Sequence, residues 1–395
     1  EIAPLHHKKE KKKKKSFSQK KKRKKNKKMA PIGLTDVAVT DFVLSQRNGV
    51  KGLVDVISPK TLPSRYVQLP EKRVTPEKLM IEATTTGKGG SLSPVIPVID
   101  VADWKNPNVA EEICEAATTL GFFQIVNHGV SLDEQNELRA AGRGFFNLPA
   151  EEKKRYWEES SVSETATYMT SFKPSMEAKL EWRDALKFDF EDRYDRVDFA
   201  ATWPTVCRDE VVNHSDRMKP IGKKILEILM KNLNARMEEQ TLMGSLRMNI
   251  NYYPECPEPK LAVGTGRHCD MNTLTLLLQD DIIGTLYARC GDKWLHVPPV
   301  MGALVVNIGD ILQILSNDRY KSAEHLVMAN QFLSRVSFAY YCGPDYDSVI
   351  EPLREVLQNG EKPLYKATKY SDYMKYYFGR PHSAGNKTIE SVKLH

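Results

Sequence analysis

The feature that most constrains this chain lies beyond Leu246, where short β-rich segments follow one another at close intervals. Residues 247–253, 273–279, 284–289, 293–297, 303–308, 322–328 and 334–342 are rich in β-branched and aromatic residues and are separated by turn residues. That many short strands predict a sandwich or barrel, because only closure or face-to-face packing disposes of so many edges. The preceding half reads differently. A strand over 95–100, a helix over 109–119 and the apolar run 122–126 form a strand–helix–strand opening, followed by helical patterns over 131–146, from 148 to 154 and over 209–239. The expected class is α+β, mainly β with helices, the helices coming first and a closed β unit second.

Charge is distributed unevenly. Residues 1–28 hold 15 Lys or Arg and 2 Glu, whereas the remainder holds 43 basic and 49 acidic residues. A block of like charge without apolar periodicity is self-repelling and is expected to be disordered. Its composition breaks from that of the remaining chain, so Met29 is the expected start of the folded protein and the lysine tract a translated leader. The competing reading is a nuclear-localisation or RNA-binding arm. An acidic body repels phosphates, which argues against nucleic acid as a partner of the globular part. No apolar run is long enough for a membrane span, and the basic opening lacks a signal-peptide core, so a cytoplasmic location is expected. Six cysteines with no C-x-x-C pair argue for reduced thiols over disulfides or a cysteine zinc site. The expected organisation is a Lys-rich segment (1–28), an extension and linker (29–92, flexible over 84–91), a mixed strand and helix region (93–245), the β domain (246–345) and a helical C-terminal segment with its tail (346–395).

The histidines point to chemistry. In an extended chain, residues i and i+2 share a face, so His268 and Asp270 can converge on one ion, and His325 is placed to join them from a later strand. Two histidines and one carboxylate on one side of a metal leave the opposite positions open, the arrangement of non-haem Fe(II) oxygenases. Arg335 and Ser337 share a strand face and could present a guanidinium fork and a hydroxyl to a carboxylate inside the barrel, with Tyr253, beside Asn251, adding a second hydroxyl. Taken singly, each has a plain structural reading: a chance H-x-D, a surface arginine, a core tyrosine. His128, His214, His296 and Asp310 are assigned to structure.

Taken together, Asn251-Tyr252-Tyr253-Pro254, Gly266-Arg267-His268-Cys269-Asp270, Asn307-Ile308-Gly309-Asp310, Tyr320 to His325 and Ser334-Arg335-Val336-Ser337 resemble the plant-type Fe(II)/2-oxoglutarate-dependent dioxygenases. The likeness extends to Ile96-Pro97-Val98-Ile99-Asp100, to residues 121–130 and to 145–149. The resemblance implies a double-stranded β-helix, or jelly roll, with helices packed around it. It implies Fe(II) on His268, Asp270 and His325, and 2-oxoglutarate held by Tyr253, Arg335, Ser337 and Asn251, with ascorbate as reductant. It further implies that O₂ is consumed as 2-oxoglutarate becomes succinate and CO₂ and a small substrate is oxidised.

Asn48 to Leu53 and Leu180-Glu181-Trp182-Arg183-Asp184 resemble the hydroxycinnamoyl-CoA ortho-hydroxylases and scopoletin 8-hydroxylases within that family. Both motifs are expected outside the iron site. The implied substrate is a small aromatic, best feruloyl-CoA or coumaroyl-CoA on the way to coumarins. The alternatives are another coumarin, a flavonoid, a hormone or an alkaloid. Lys173, Lys179, Arg183 and Lys187 are candidates for a basic mouth that meets CoA phosphates. A monomer is expected. Leu326, Phe338-Ala339 and the segment 281–286 depart from the family pattern, which puts the hairpin beside the iron in question; a catalytically silent scaffold is the reading they would favour.

Overall fold

The structure is a computed structural model that describes residues 35–73, 95–190, 199–282, 284–291, 293–380 and 388–394. The Lys-rich segment, the 84–91 linker, His6, His7, His395 and Ile283 lie outside the described residues. The first elements are α1 (Asp36–Thr40), which runs into a wider helical turn over Asp41–Ser45, and α2 (Gly49–Ile57). The opening β1 (Val98–Asp100), α3 (Pro107–Thr119) and β2 (Phe122–Val126) form the expected strand–helix–strand unit, β1 and β2 pairing in parallel. α4 (Leu132–Phe146) starts where Ser131 and Glu134 satisfy each other's backbone N–H groups in a capping box. Next come α5 (Ala150–Lys154), β3 (Ala166–Thr170), β4 (Asp184–Phe190), α6 (Arg208–Asn232) and α7 (Glu239–Met243). The helix expected over 209–239 thus stops short. Asn234 takes a left-handed conformation (φ 55°), which ends the helix before the chain restarts as α7.

The remaining strands are β5 (Ser245–Tyr253), β6 (Thr265–His268), β7 (Leu274–Leu278), β8 (Leu286–Cys290), β9 (Lys293–His296), β10 (Leu304–Ile308), β11 (His325–Val327) and β12 (Arg335–Gly343), with α8 (Asp310–Leu315) between β10 and β11. The chain closes with β13 (Val349–Ile350), β14 (Thr368–Lys369) and α9 (Tyr370–Phe378). β3, β4, β6, β13, β14, α2 and α8 are absent from the sequence expectation, the strands because each is short or flanked by charged residues.

Two sheets form the jelly roll, an eight-stranded one ordered β1-β2-β10-β7-β12-β5-β4-β3 and a four-stranded one ordered β6-β11-β8-β9. Strands from both sides of residue 245 pair in the large sheet, since β4 lies along β5. Strand alternation gives that sheet two different faces. Met248, Ile250, Leu274, Leu276, Phe338 and Tyr340 belong to the main apolar core, together with Ile113, Leu138, Ile225 and Leu229 from α3, α4 and α6. A side chain at Gly142 of α4 would press on the Phe338 ring at 2.7 Å, so glycine there sets the close approach of helix to sheet. The alternate residues, Asn251, Tyr253, Thr275, Arg335 and Ser337, line a cavity that also takes His268 and His325 from the small sheet.

Candidate active site

β6 and β11 pair antiparallel with His268 directly opposite His325, their ring centres 4.1 Å apart. β6 ends at His268, so Asp270 sits in the following loop and not, as strand alternation suggested, on the strand itself. Its Oδ1 nevertheless lies 3.6 Å from His268 Nε2 and 3.8 Å from His325 Nε2. The ligand-type atoms of the three side chains all fall within 4.8 Å of one another, and they are the group among the described residues that could hold a metal ion. Each imidazole bonds through Nδ1 to a carbonyl two residues upstream, His268 to Gly266 (2.8 Å) and His325 to Ala323 (3.1 Å). A carbonyl can only accept, so Nδ1 carries a proton and Nε2, the ring atom turned toward Asp270, is the one left for a metal.

Asp270 is braced from behind. Its Oδ2 accepts from Thr275 Oγ1 (2.6 Å) and Asn307 Nδ2 (2.8 Å), leaving Oδ1 for the imidazole side. Burial raises the Asp270 pKa, but His325 and His268 together with those two donors outweigh it and hold the carboxyl below its usual range. The segment 307–310 does more than turn the chain. Asp310 N–H donates to the Asp270 carbonyl (2.8 Å) and Gly309 N–H to Thr273 (3.0 Å), while the Asp310 carboxylate accepts from Tyr373 (2.7 Å). Thr275 and Asn307, which hold Asp270, were missed by the sequence reading; a polar residue facing inward among Leu274, Leu276 and Val306 was the available signal.

The other end of the cavity is cationic. β12 pairs with β5 so that Arg335 stands opposite Tyr253 and Ser337 opposite Asn251. Arg335 is 1 % exposed, donates to Ser337 Oγ (3.2 Å) and Gln279 Oε1 (3.4 Å), and stacks its guanidinium over the Tyr253 ring at 5.3 Å. Tyr253 exchanges a hydrogen bond with Thr265 (3.0 Å). Among the described residues no carboxylate pairs with Arg335, and its Nε–H has no partner. Burial pulls the Arg335 pKa down, against the opposing influence of Tyr253 and Asp280. A buried guanidinium without a counter-ion is costly unless an anionic ligand supplies one. The residues therefore fit a dicarboxylate seated between Arg335 and the His268, Asp270 and His325 group.

A wider cleft of roughly 1000 Å³, open to solvent, reaches His268 and Asp270 from outside. Phe172, Met169, Met271, Tyr377 and Phe378 give it apolar walls, and Lys173, Arg183, Lys187 and Arg247 line it as well. The basic mouth needs correction at two positions. Arg183 is buried and bonded to Glu181 (2.8 Å) and Asn251 (2.9 Å), and Lys179 reaches the Ser64 carbonyl (2.8 Å) away from the cleft lining. The expectation that 180–184 lies outside the iron site is also overturned, because Glu181 accepts from Gly266 N–H (2.8 Å), the residue whose carbonyl orients His268.

His128 holds the Gly302 carbonyl (2.9 Å) beside the left-handed Asn127 and Gly129, and His296 holds that of Gly284 (3.1 Å), so both are structural. Leu326 is buried with Trp294 and Met328, and Phe338 points to the helices while Ala339 faces the cavity. None of these departures displaces His268, Asp270 or His325. Among the described residues no helix is long and apolar enough to cross a membrane, and no disulfide joins the cysteines.

Two family models match the chain, the 2OG-Fe(II) oxygenase superfamily over residues 245–344 and the N-terminal region of non-haem dioxygenases in morphine synthesis over residues 96–206. Feruloyl CoA ortho-hydroxylase F6H1-2 of Ipomoea batatas is 46% identical over 363 residues, covering 90% of this chain and 97% of that protein. A bi-functional coumaroyl CoA and feruloyl CoA ortho-hydroxylase of the same plant is 45% identical over 362 residues, with 90% and 96% covered. The crystal structure of JOX2 in complex with 2OG, Fe and JA superposes with a TM-score of 0.75 at 29% identity, covering 88% of this chain and 98% of that one. With 46% identity over nine-tenths of its length to such a hydroxylase, and two histidines, an aspartate and a buried arginine gathered in one cavity of its jelly roll, the chain belongs to the 2OG-Fe(II) oxygenase superfamily and is a 2-oxoglutarate-dependent dioxygenase.

Proposed function

We propose that the chain hydroxylates the ring of feruloyl-CoA or coumaroyl-CoA ortho to the side chain, the step that opens coumarin formation. The observation that carries this reading is the pairing of the two cavities: a polar one ending in Arg335 and a cleft with aromatic walls, both reaching His268 and Asp270. His268, Asp270 and His325 would hold Fe(II). Arg335, Ser337 and Tyr253 would hold the distal carboxylate of 2-oxoglutarate, with Asn251 in the wall beside them. When bound, Fe(II) and 2-oxoglutarate supply the oxidising chemistry that places one atom of O₂ in succinate and the other in the product. The chain's own part is to orient and to exclude water. The packed rings of Tyr377, Phe378 and Phe172 would offer an apolar wall to the aromatic ring, and Lys173 and Lys187 at the cleft would face the CoA phosphates. The identity to the two hydroxylases supports the substrate class.

The functional segments are proposed as 29–92, 93–245, 246–345 and 346–395, in a cytoplasmic monomer. The test uses the protein with Fe(II), ascorbate and 2-oxoglutarate, reading succinate and a mass gain of one oxygen across feruloyl-CoA, coumaroyl-CoA, the free acids, scopoletin and a flavonoid. Coupled succinate and hydroxylation of a CoA ester is the expected result. Coupling confined to another acceptor would discard the substrate assignment and keep the oxygenase.

A further inference from the structure

Arg183 lines both cavities, and its surroundings are unusual for a residue at the mouth of a cleft. Its side chain is buried, its Nη1 donates to Asn251 Oδ1 (2.9 Å) and its Nη2 to Glu181 Oε2 (2.8 Å), while its Nε–H has no partner among the described residues. Glu181 uses its other oxygen to accept from Gly266 N–H (2.8 Å), and the Gly266 carbonyl accepts from His268 Nδ1 (2.8 Å). A continuous run of hydrogen bonds thus joins His268 on β6 to Asn251 on β5, whose cross-strand neighbour is Ser337.

The backbone that carries the pair is fixed on both sides. Trp182 between them is buried, donates Nε1–H to the Pro254 carbonyl (3.1 Å) and meets the Tyr66 ring edge-on at 4.9 Å. A fully buried ion pair seldom repays its desolvation in stability, and a neutral pair of similar volume often serves the fold as well. What this pair does besides is join Asn251, through Arg183 at the wall of both cavities, to the Gly266 backbone beside His268.

We propose that Glu181 and Arg183 form a positioning clamp that sets the 2-oxoglutarate seat, through Asn251, in register with His268. The inference rests on the reading of His268, Asp270 and His325 as iron ligands and Arg335 as the co-substrate anchor. Arg183 is a positioning residue, and it does not belong to a solvent-facing CoA site.

The test is an anaerobic titration of the Fe(II)-loaded protein with 2-oxoglutarate, following the charge-transfer absorbance of the complex, with thermal unfolding of each protein measured alongside. Arg183→Lys and Glu181→Gln are each expected to weaken 2-oxoglutarate binding by about tenfold, the scale on which partners behind metal ligands act. Because both break one connection, the double variant should be no weaker than the singles. Glu181→Gln/Arg183→Met, which removes both charges together, should unfold like the unaltered protein and still bind 2-oxoglutarate about tenfold more weakly. Half-saturation equal to that of the unaltered protein in these variants overturns the clamp, as does additivity of the two single changes. Unfolding of all of them assigns the pair to stability and overturns it too. Absence of the absorbance band in the unaltered protein would instead sink the parent reading of the site.

Discussion

Asp270 and Asp184 are both buried carboxylates, and their surroundings push them in opposite directions. Asp184, the first residue of β4, accepts from Val50 N–H and Lys51 N–H (2.8 Å each) and from the Tyr168 hydroxyl (3.2 Å). Burial raises its pKa, and the amides of Lys51 and Val50 only partly offset that. Asp270 is equally buried but has two imidazoles within 4 Å, and its pKa is lowered. The difference teaches where to look for chemistry. All the donors around Asp184 are protein groups, so its network closes on itself and fixes the first turn of α2 against the sheet. Around Asp270 the protein donors occupy Oδ2 alone, and Oδ1 faces two imidazole Nε2 atoms. A carboxylate oxygen gathered with two imidazole nitrogens is a donor set that suits a divalent cation.

Breaking each network separates the two roles. Asp270→Ala is expected to abolish turnover by at least about a thousandfold, about 4 kcal/mol of barrier, with secondary structure and unfolding midpoint retained. Succinate release and circular dichroism on one sample check both halves, and substantial turnover in the variant would end the ligand assignment. Gly49→Ala attacks the other network. Gly49 has φ +68°, and an added Cβ would overlap the Tyr168 hydroxyl and the Asp184 carboxylate. A cost of about 2–4 kcal/mol in unfolding free energy is expected, read by urea titration, with turnover per folded molecule unchanged. Loss of turnover without loss of stability would mean that the Asp184 network serves the site after all.

How much of this was legible in the sequence depends on how much each residue type reveals by itself. His268, Asp270, His325 and Arg335 stood out because these side chains are costly to bury without a task, and strand periodicity put them on common faces. The β-rich half was legible because its strands are short runs rich in apolar and β-branched residues bounded by turns, as Leu274 to Leu278 shows. Arg183 was misplaced at the cleft mouth because sequence states charge and not exposure; Glu181 two positions earlier, on the same face of an extended segment, was the clue to a buried pair. β6 was missed because Thr265 to His268 carries no apolar pattern and is a strand only through its pairing with β11. Gln279 gave no sign of its contact with Arg335, since only the fold brings β7 beside β12.

The comparison extends to cations. Arg335→Lys keeps the charge but loses the fork that reaches Ser337 and Gln279 together, and it should raise the KM for 2-oxoglutarate about 10- to 100-fold with a smaller change in kcat. Initial rates against 2-oxoglutarate measure this, and an unchanged KM would remove Arg335 from the seat.

The smallest effect belongs to a third histidine, one that resembles Asp184 more than it resembles His268. His214 on α6 is buried, and its Nε2 has no partner among the described residues. Burial, aided by His128, pushes its pKa down to about 3, against the opposing pull of Glu134. Between the ordinary histidine range and that value the unfolded chain takes up a proton that the folded chain refuses, so stability is intact above about pH 6.5 and is lost as pH falls through this window. The loss attributable to His214 should reach about 1 kcal/mol near pH 5.5. His214→Phe removes the titrating group while filling a similar volume, and urea unfolding from pH 7 to 5 should then fall less steeply than in the unaltered protein. An equal slope in both would show that α6 opens to water in acid before the histidine resists its proton. In that case the helical shell, and not the barrel that it covers, would be the part of the molecule that yields first.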